Sequence, residues 1–152
     1  MKKSFLIFFI ILMSVTSNAQ TYTIESPHAV LRAEFSLSKK GEPHYAVFYK
    51  DKPVIKSSSM GFELKESPSL KELPPMKDNF LLTGIDSSLV NETWQPVWGE
   101  VKTIRNNYRQ YTFHLKEKDN EQRSLNIVFK VFDDGIGFRY EFPAQKNLNV
   151  FI

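Results

Sequence analysis

The sequence predicts an all-β domain built as an antiparallel β-sandwich, and three observations carry that prediction. Apolar residues recur at every second position in one run after another, clusters of Gly, Pro, Asn, Asp and Lys separate the runs, and nothing beyond the first twenty residues sustains a 3.6-residue period. Aromatic residues make up 14% of the chain, ample for the core between two sheets. The length suits one such domain, residues 20–152.

The elements follow in order. Thr21–Glu25 is a short strand that Ser26-Pro27 ends. From Ala29 onward, Leu31, Ala33, Phe35 and Leu37 share one face while Arg32, Glu34, Ser36 and Ser38 share the other, the pattern of a strand with one wet side. Lys39-Lys40-Gly41-Glu42-Pro43 is a turn. Tyr45, Val47 and Tyr49 then alternate with Ala46 and Phe48 until Asp51-Lys52-Pro53 turns the chain again, and 54–56 and 60–64 continue the meander. Residues 65–79 carry charges and Pro68, Pro74 and Pro75 without periodicity, which predicts a surface loop.

Residues 80–89 return to strand, with a kink at Gly84. In 92–100, Pro96 and Gly99 exclude a helix interior and disfavour a central strand, so this segment is expected to be an extended, partly irregular connection. Residues 108–116 form a strand with Tyr111, Phe113 and Leu115 on one side, and 116–121 a polar hairpin loop. Leu125, Ile127, Phe129 and Val131 make one face of the next strand, and Ile136, Phe138, Tyr140 and Phe142 one face of the last. Asp133-Asp134-Gly135 joins these two, and Gly135 is expected to supply the positive φ of a tight hairpin turn.

The first nineteen residues stand apart. Lys2 and Lys3 precede an apolar run from Phe5 to Met13 that is too short to span a bilayer, and Ser17-Asn18-Ala19 gives a small-x-small cleavage site. This describes a secretory signal peptide, residues 1–19, so the product is expected to be exported, periplasmic or secreted, and free of the membrane after cleavage. The chain has no cysteine, which excludes disulfides, thiol catalysis, thiolate metal sites and a lipid anchor on cysteine. The leader takes two lysines with it, lowering the formal charge from +3 to +1, which is no footprint for nucleic acid. The chain stops on an apolar, β-prone stretch, 148–152, as if in mid-strand.

No residue pattern assembles a catalytic site. Asp133 and Asp134 invite an acid/base or metal reading, but their neighbour Gly135 and the flanking strands favour a turn. His28, His44 and His114 lack metal-ligand spacing, and Ser57-Ser58-Ser59 lacks the Gly-x-Ser-x-Gly context of a nucleophile. The segment 94–100 is the exception. Trp94 and Trp98, four residues apart in an extended stretch, would project to one side. An exposed indole at Trp98 could stack on a sugar ring while Glu100 and Arg105 supply polar contacts. The alternative is that both indoles are core or interface residues, the commoner fate of tryptophan.

Three stretches, Trp94-Gln95-Pro96-Val97-Trp98-Gly99-Glu100, Ile104-Arg105-Asn106-Asn107-Tyr108 and the run from Phe129 through Asp133-Asp134-Gly135 to Pro143, resemble in order and spacing the N-terminal domain of glycoside hydrolase family 97. Those enzymes are exported α-glucosidases and α-galactosidases, known chiefly from Bacteroidetes. The resemblance implies the first part of a galactose-mutarotase-like β-supersandwich, incomplete at its C-terminus. In the complete enzyme it would be followed by a (β/α)8 barrel whose carboxylates perform calcium-assisted hydrolysis of an α-linked oligosaccharide. It transfers no catalytic residue and no metal ligand to this chain, since the calcium-ligating glutamate of the N-terminal domain is expected beyond Ile152. The leading expectation is therefore a piece of a family 97 glycosidase, inactive alone. A free-standing carbohydrate-binding module and a nonfunctional remnant are the alternatives.

Overall fold

The structure, a computed structural model, describes residues 20–64, 74–119, 122–146 and 148. The leader, most of the 65–79 loop, the end of the 116–121 hairpin loop and the terminal 149–152 lie outside the described residues. Eight strands form two four-stranded antiparallel sheets, each a simple meander. The first sheet holds β1 (Thr21–Glu25), β2 (Leu31–Leu37), β3 (Pro43–Tyr49) and β4 (Lys52–Ser59) in chain order. The second holds β5 (Phe80–Trp94), β6 (Ile104–Glu117), β7 (Ser124–Val131) and β8 (Ile136–Glu141).

The core lies where the two-residue periods of the sheets meet. Ile24, Ala33, Phe35 and Val47 from the first sheet face Phe113, Leu115, Leu125, Ile127, Phe129 and Val131 from the second, all buried. Phe35 is the keystone: its ring stacks on Phe113 at 4.0 Å between centroids and meets Phe129 edge-on at 6.2 Å. Offset and edge-to-face aromatic pairs add about 0.5–1.5 kcal/mol each beyond area burial, so this triad fixes how the sheets sit as well as holding them. On the far side of β2, Arg32 lies 4.1 Å over the Phe48 ring, covering an aromatic that faces solvent.

Two turns differ from their sequence reading. The β3–β4 turn is not at 51–53 but at Lys50 and Asp51, whose φ values of 47° and 62° are those of a two-residue hairpin with both central residues left-handed. Pro53 then falls inside β4, which an edge strand tolerates because its N–H side can face solvent. Gly135, by contrast, does not adopt positive φ. The β7–β8 loop runs from Phe132 to Gly135, and Phe132 N–H donates to the Gly135 carbonyl at 2.8 Å, a four-residue connection that needs no left-handed residue.

Positive φ is required elsewhere. Gly41 (φ 79°) sits in the β2–β3 turn, where a Cβ would lie 2.4 Å from the Phe80 nitrogen and 2.5 Å from the Phe80 carbonyl oxygen. That closeness lets the Gly41 carbonyl accept from Phe80 N–H at 3.1 Å and the Lys40 carbonyl from Asn79 N–H at 2.8 Å. The turn of one sheet is thus sewn by backbone to the first residue of the other. The expected kink at Gly84 is a register shift between Leu82 and Gly84 in the β5–β6 pairing. It keeps Phe80 and Leu82 facing the core before the bulge and brings Ile85 opposite the buried Phe113 after it.

Candidate functional site

β5 and β6 are 15 and 14 residues long, against eight for β7, and this inequality makes the most distinctive feature of the molecule. β7 pairs with β6 only as far as Arg109↔Val131. Beyond that point β5 and β6 continue as a two-stranded arm that ends at Trp94↔Ile104. A two-stranded ribbon has little stability of its own, and cross-strand side chains support this one on both faces. Arg105 Nε donates to Asn91 Oδ1 at 3.1 Å, and Asn106 Nδ2 donates to Glu92 Oε1 at 3.1 Å. The segment expected as an irregular connection therefore divides: Glu92, Thr93 and Trp94 are strand, and 95–103 is the loop at the tip.

The tip is apolar and open. Val97 is 100% exposed, Trp98 90% and Trp94 47%, with Val101 also exposed. Neither indole is a core residue, and only Trp94 belongs to a strand, so the four-residue spacing does not place them on one extended face. Glu100 is exposed in the same loop as Trp98. Arg105 is separated from them: it lies on β6, paired with Thr93, and turns toward the foot of the arm.

At that foot is an open recess of about 650 Å³, lined by His28, Arg105, Asn107, Phe132, Asp133 and Asp134. Three separate elements build it. His28 comes from the β1–β2 turn, which the buried Ser26 organises by accepting from Val30 N–H and Leu31 N–H, both at 3.1 Å. Asp133 reaches across from the β7–β8 loop, accepting His28 N–H at 3.1 Å on Oδ1 and lying 2.6 Å from His28 Nδ1 on Oδ2. The hydrogen bond from the His28 ring holds the Asp133 carboxyl below the usual carboxylate range. Phe132 is braced by the Tyr108 ring at 4.9 Å, and Tyr108 in turn lies under Lys130 Nζ at 4.6 Å.

The turn reading of Asp133-Asp134 stands, with a function the sequence did not reveal. Asp133 ties the two sheets together through a histidine 105 positions away in the chain, a separation that leaves no local signal. Hydrolysis of a glycosidic bond needs two carboxyls opposed at roughly 5–5.5 Å or wider. Here one of the consecutive pair is already committed to His28. Among the described residues no group of three or more His, Cys, Asp and Glu is placed to hold a metal ion.

A second histidine is poised electrostatically. His114 Nε2 lies 2.8 Å from Asp86 Oδ2 and Nδ1 lies 2.9 Å from Asn126 Oδ1, so only the protonated ring satisfies both oxygens. Its pKa is raised, first by the Asp86 hydrogen bond and next by that to Asn126. Because the folded value is raised, the pair stabilises the fold fully below the ordinary histidine value of about 6.5 and loses that contribution as pH rises through the folded value. Asp86 is 79% exposed, so the contribution is at most about 1 kcal/mol. Following the His114 ring by NMR is expected to give a titration above 6.5, which Asp86→Asn returns toward the ordinary value. Identical midpoints in the two proteins would contradict the pairing.

The profile of the glycosyl-hydrolase 97 N-terminal domain matches residues 24–152. The chain belongs to glycoside hydrolase family 97. Solved structures of a family 97 enzyme from Pseudoalteromonas sp. strain K8, one in complex with panose and one with acarbose, are similar at 30% identity and a TM-score of 0.73, covering 84% of this chain. A β-arabinopyranosidase, 22% identical with a TM-score of 0.70 over 82% of this chain, shares the fold. This family 97 chain spans 18% of the length of each of those enzymes, and what it matches in the family is the N-terminal domain. The β-sandwich, the β5–β6 arm and the recess at its foot are therefore features of a family 97 N-terminal domain.

Proposed function

We propose that this chain is the N-terminal β-sandwich of an exported family 97 α-glycosidase that degrades α-linked oligosaccharides, the catalytic carboxylates and their calcium belonging to a barrel domain of the longer enzyme. The observation that carries the reading is the family match over residues 24–152. The panose and acarbose complexes of the similar Pseudoalteromonas enzyme support the substrate class. Within the enzyme the sandwich would serve as a wall and the arm as a projecting contact.

The test joins the gene to activity. Reading the DNA past codon 152 is expected to reveal a barrel-coding sequence, and the longer product is expected to release sugar from α-glucosides or α-galactosides. The 152-residue chain is expected to release none. Sugar release by this chain alone, or a longer product inert on both substrate classes, would sink the proposal.

The 90% exposure of Trp98 favours a second reading, a carbohydrate-binding module with Trp98 as platform and Glu100, exposed in the same loop, as a polar contact. It predicts that tryptophan fluorescence shifts on adding maltooligosaccharides, and that Trp98→Ala removes most of the shift. An unchanged spectrum across α-glucans and galactosides at millimolar sugar excludes the platform.

A further inference from the structure

The recess at the foot of the arm is assembled from parts distant in sequence, and its polar groups divide into two classes. Some are committed to the scaffold. Asp133 is held by His28 through both carboxylate oxygens, and Arg105 Nε is held by Asn91. Others face the recess with no hydrogen-bond partner among the described residues: the Asp134 carboxylate, the Asn107 amide and the two terminal nitrogens of Arg105. Uncommitted groups on a braced frame are the arrangement a binding site needs, because the frame is ordered before the ligand arrives.

The chemistry of the free groups selects the ligand. Asp134 only accepts, Arg105 only donates and Asn107 does both, while Phe132 offers an apolar wall. A simple anion would meet two carboxylates, and a simple cation would meet Arg105. A neutral molecule with adjacent hydroxyls avoids both penalties, since each hydroxyl can donate to a carboxylate and accept from a guanidinium. Its C–H face can lie on the phenyl ring. The volume of about 650 Å³ is in the range of small-molecule sites, roughly 300–1,000 Å³. We infer that the recess binds a neutral hexose unit of an oligosaccharide through Asp134, Arg105 and Asn107, with Phe132 as its apolar wall. The inference rests on the glycan reading of the family 97 chain, and it deepens that reading by moving the sugar contact from the arm's tip to its foot.

The test is an amide NMR titration of the full chain with panose. Saturable shifts are expected at His28, Asn107, Asp134 and Gly135 with an affinity of about 1 mM. Asp134→Asn and Asn107→Ala are each expected to weaken binding about tenfold. Spectral dispersion shows in each case that the variant is folded. A folded chain that shows no shifts well above millimolar panose overturns the inference, as do shifts confined to the 94–101 tip. A second readout uses the longer enzyme, where Asp134→Asn is expected to raise KM for panose with kcat unchanged, and an unchanged KM overturns the inference. An active longer enzyme with no binding at the recess sinks the recess alone, whereas a longer enzyme inert on α-glycosides sinks the glycan reading beneath it.

Discussion

Glu117→Ala is expected to destabilise the domain by about 3–5 kcal/mol, the cost of leaving one partner of a buried ion pair uncompensated. The Arg123 side chain is 0% exposed and that of Glu117 2%, and the two meet through parallel bonds, Nε to Oε2 and Nη2 to Oε1, both at 2.6 Å. Backbone pairing reinforces them, since Glu117 N–H donates to the Arg123 carbonyl at 3.0 Å. Arg123 Nη1 is buried with no hydrogen-bond partner among the described residues, so the guanidinium depends on Glu117 for its charge compensation. Removing the carboxylate strands a full positive charge beneath the end of the β6–β7 hairpin. Small domains are stable by about 5–15 kcal/mol, so this single truncation could consume most of the margin. The midpoint of urea unfolding checks it. Replacing both residues by apolar ones, Glu117→Leu with Arg123→Met, is expected to cost far less, because such pairs are often neutral when exchanged whole. A single-substitution loss below about 1 kcal/mol would show the pair to be reached by water, contrary to its burial.

Gly41→Ala is expected to cost about 3 kcal/mol or more, for two reasons that add. A left-handed φ of 79° disfavours any Cβ, and the new methyl would press on backbone, with Phe80 nitrogen and oxygen at 2.4 and 2.5 Å. Backbone cannot rotate aside as a side chain can. Relief requires separating the β2–β3 turn from the start of β5, which breaks the two hydrogen bonds joining the sheets there. Gly135→Ala is the matched control: its φ is not positive and a Cβ meets nothing within 4 Å, so a change within about 0.5 kcal/mol is expected. Equal effects at the two glycines in thermal unfolding would refute the account of the Gly41 seam.

Much of the architecture was legible because a strand with one buried face writes its period into the chain. The alternation at Leu31, Ala33, Phe35 and Leu37, and again from Leu125 to Val131, identified the core faces that the structure buries. Gly84 marked its bulge, since a glycine inside a strand pattern is a local signal of broken pairing. Turn geometry was less legible. Asp134-Gly135 has the composition of a tight hairpin, but the four-residue spacing between Val131 and Ile136 removes any need for positive φ there. Lys50-Asp51, with no glycine at all, carries that strain instead, because two-residue spacing between paired strands demands it.

By itself the sequence determined the fold class, the faces of the strands and, through its ordered motifs, the family, because each is written in neighbouring residues. Only the tertiary structure decided that Glu117 is half of a buried pair with Arg123 instead of a loop charge and that the arm outruns its sheet. It also separated Arg105 from Trp98 and Glu100, and brought it beside His28 and Asp134. Those outcomes depend on which distant segments meet when two sheets close on each other. A chain records its periodicity locally, whereas the company that each polar side chain keeps is settled by the packing of the whole.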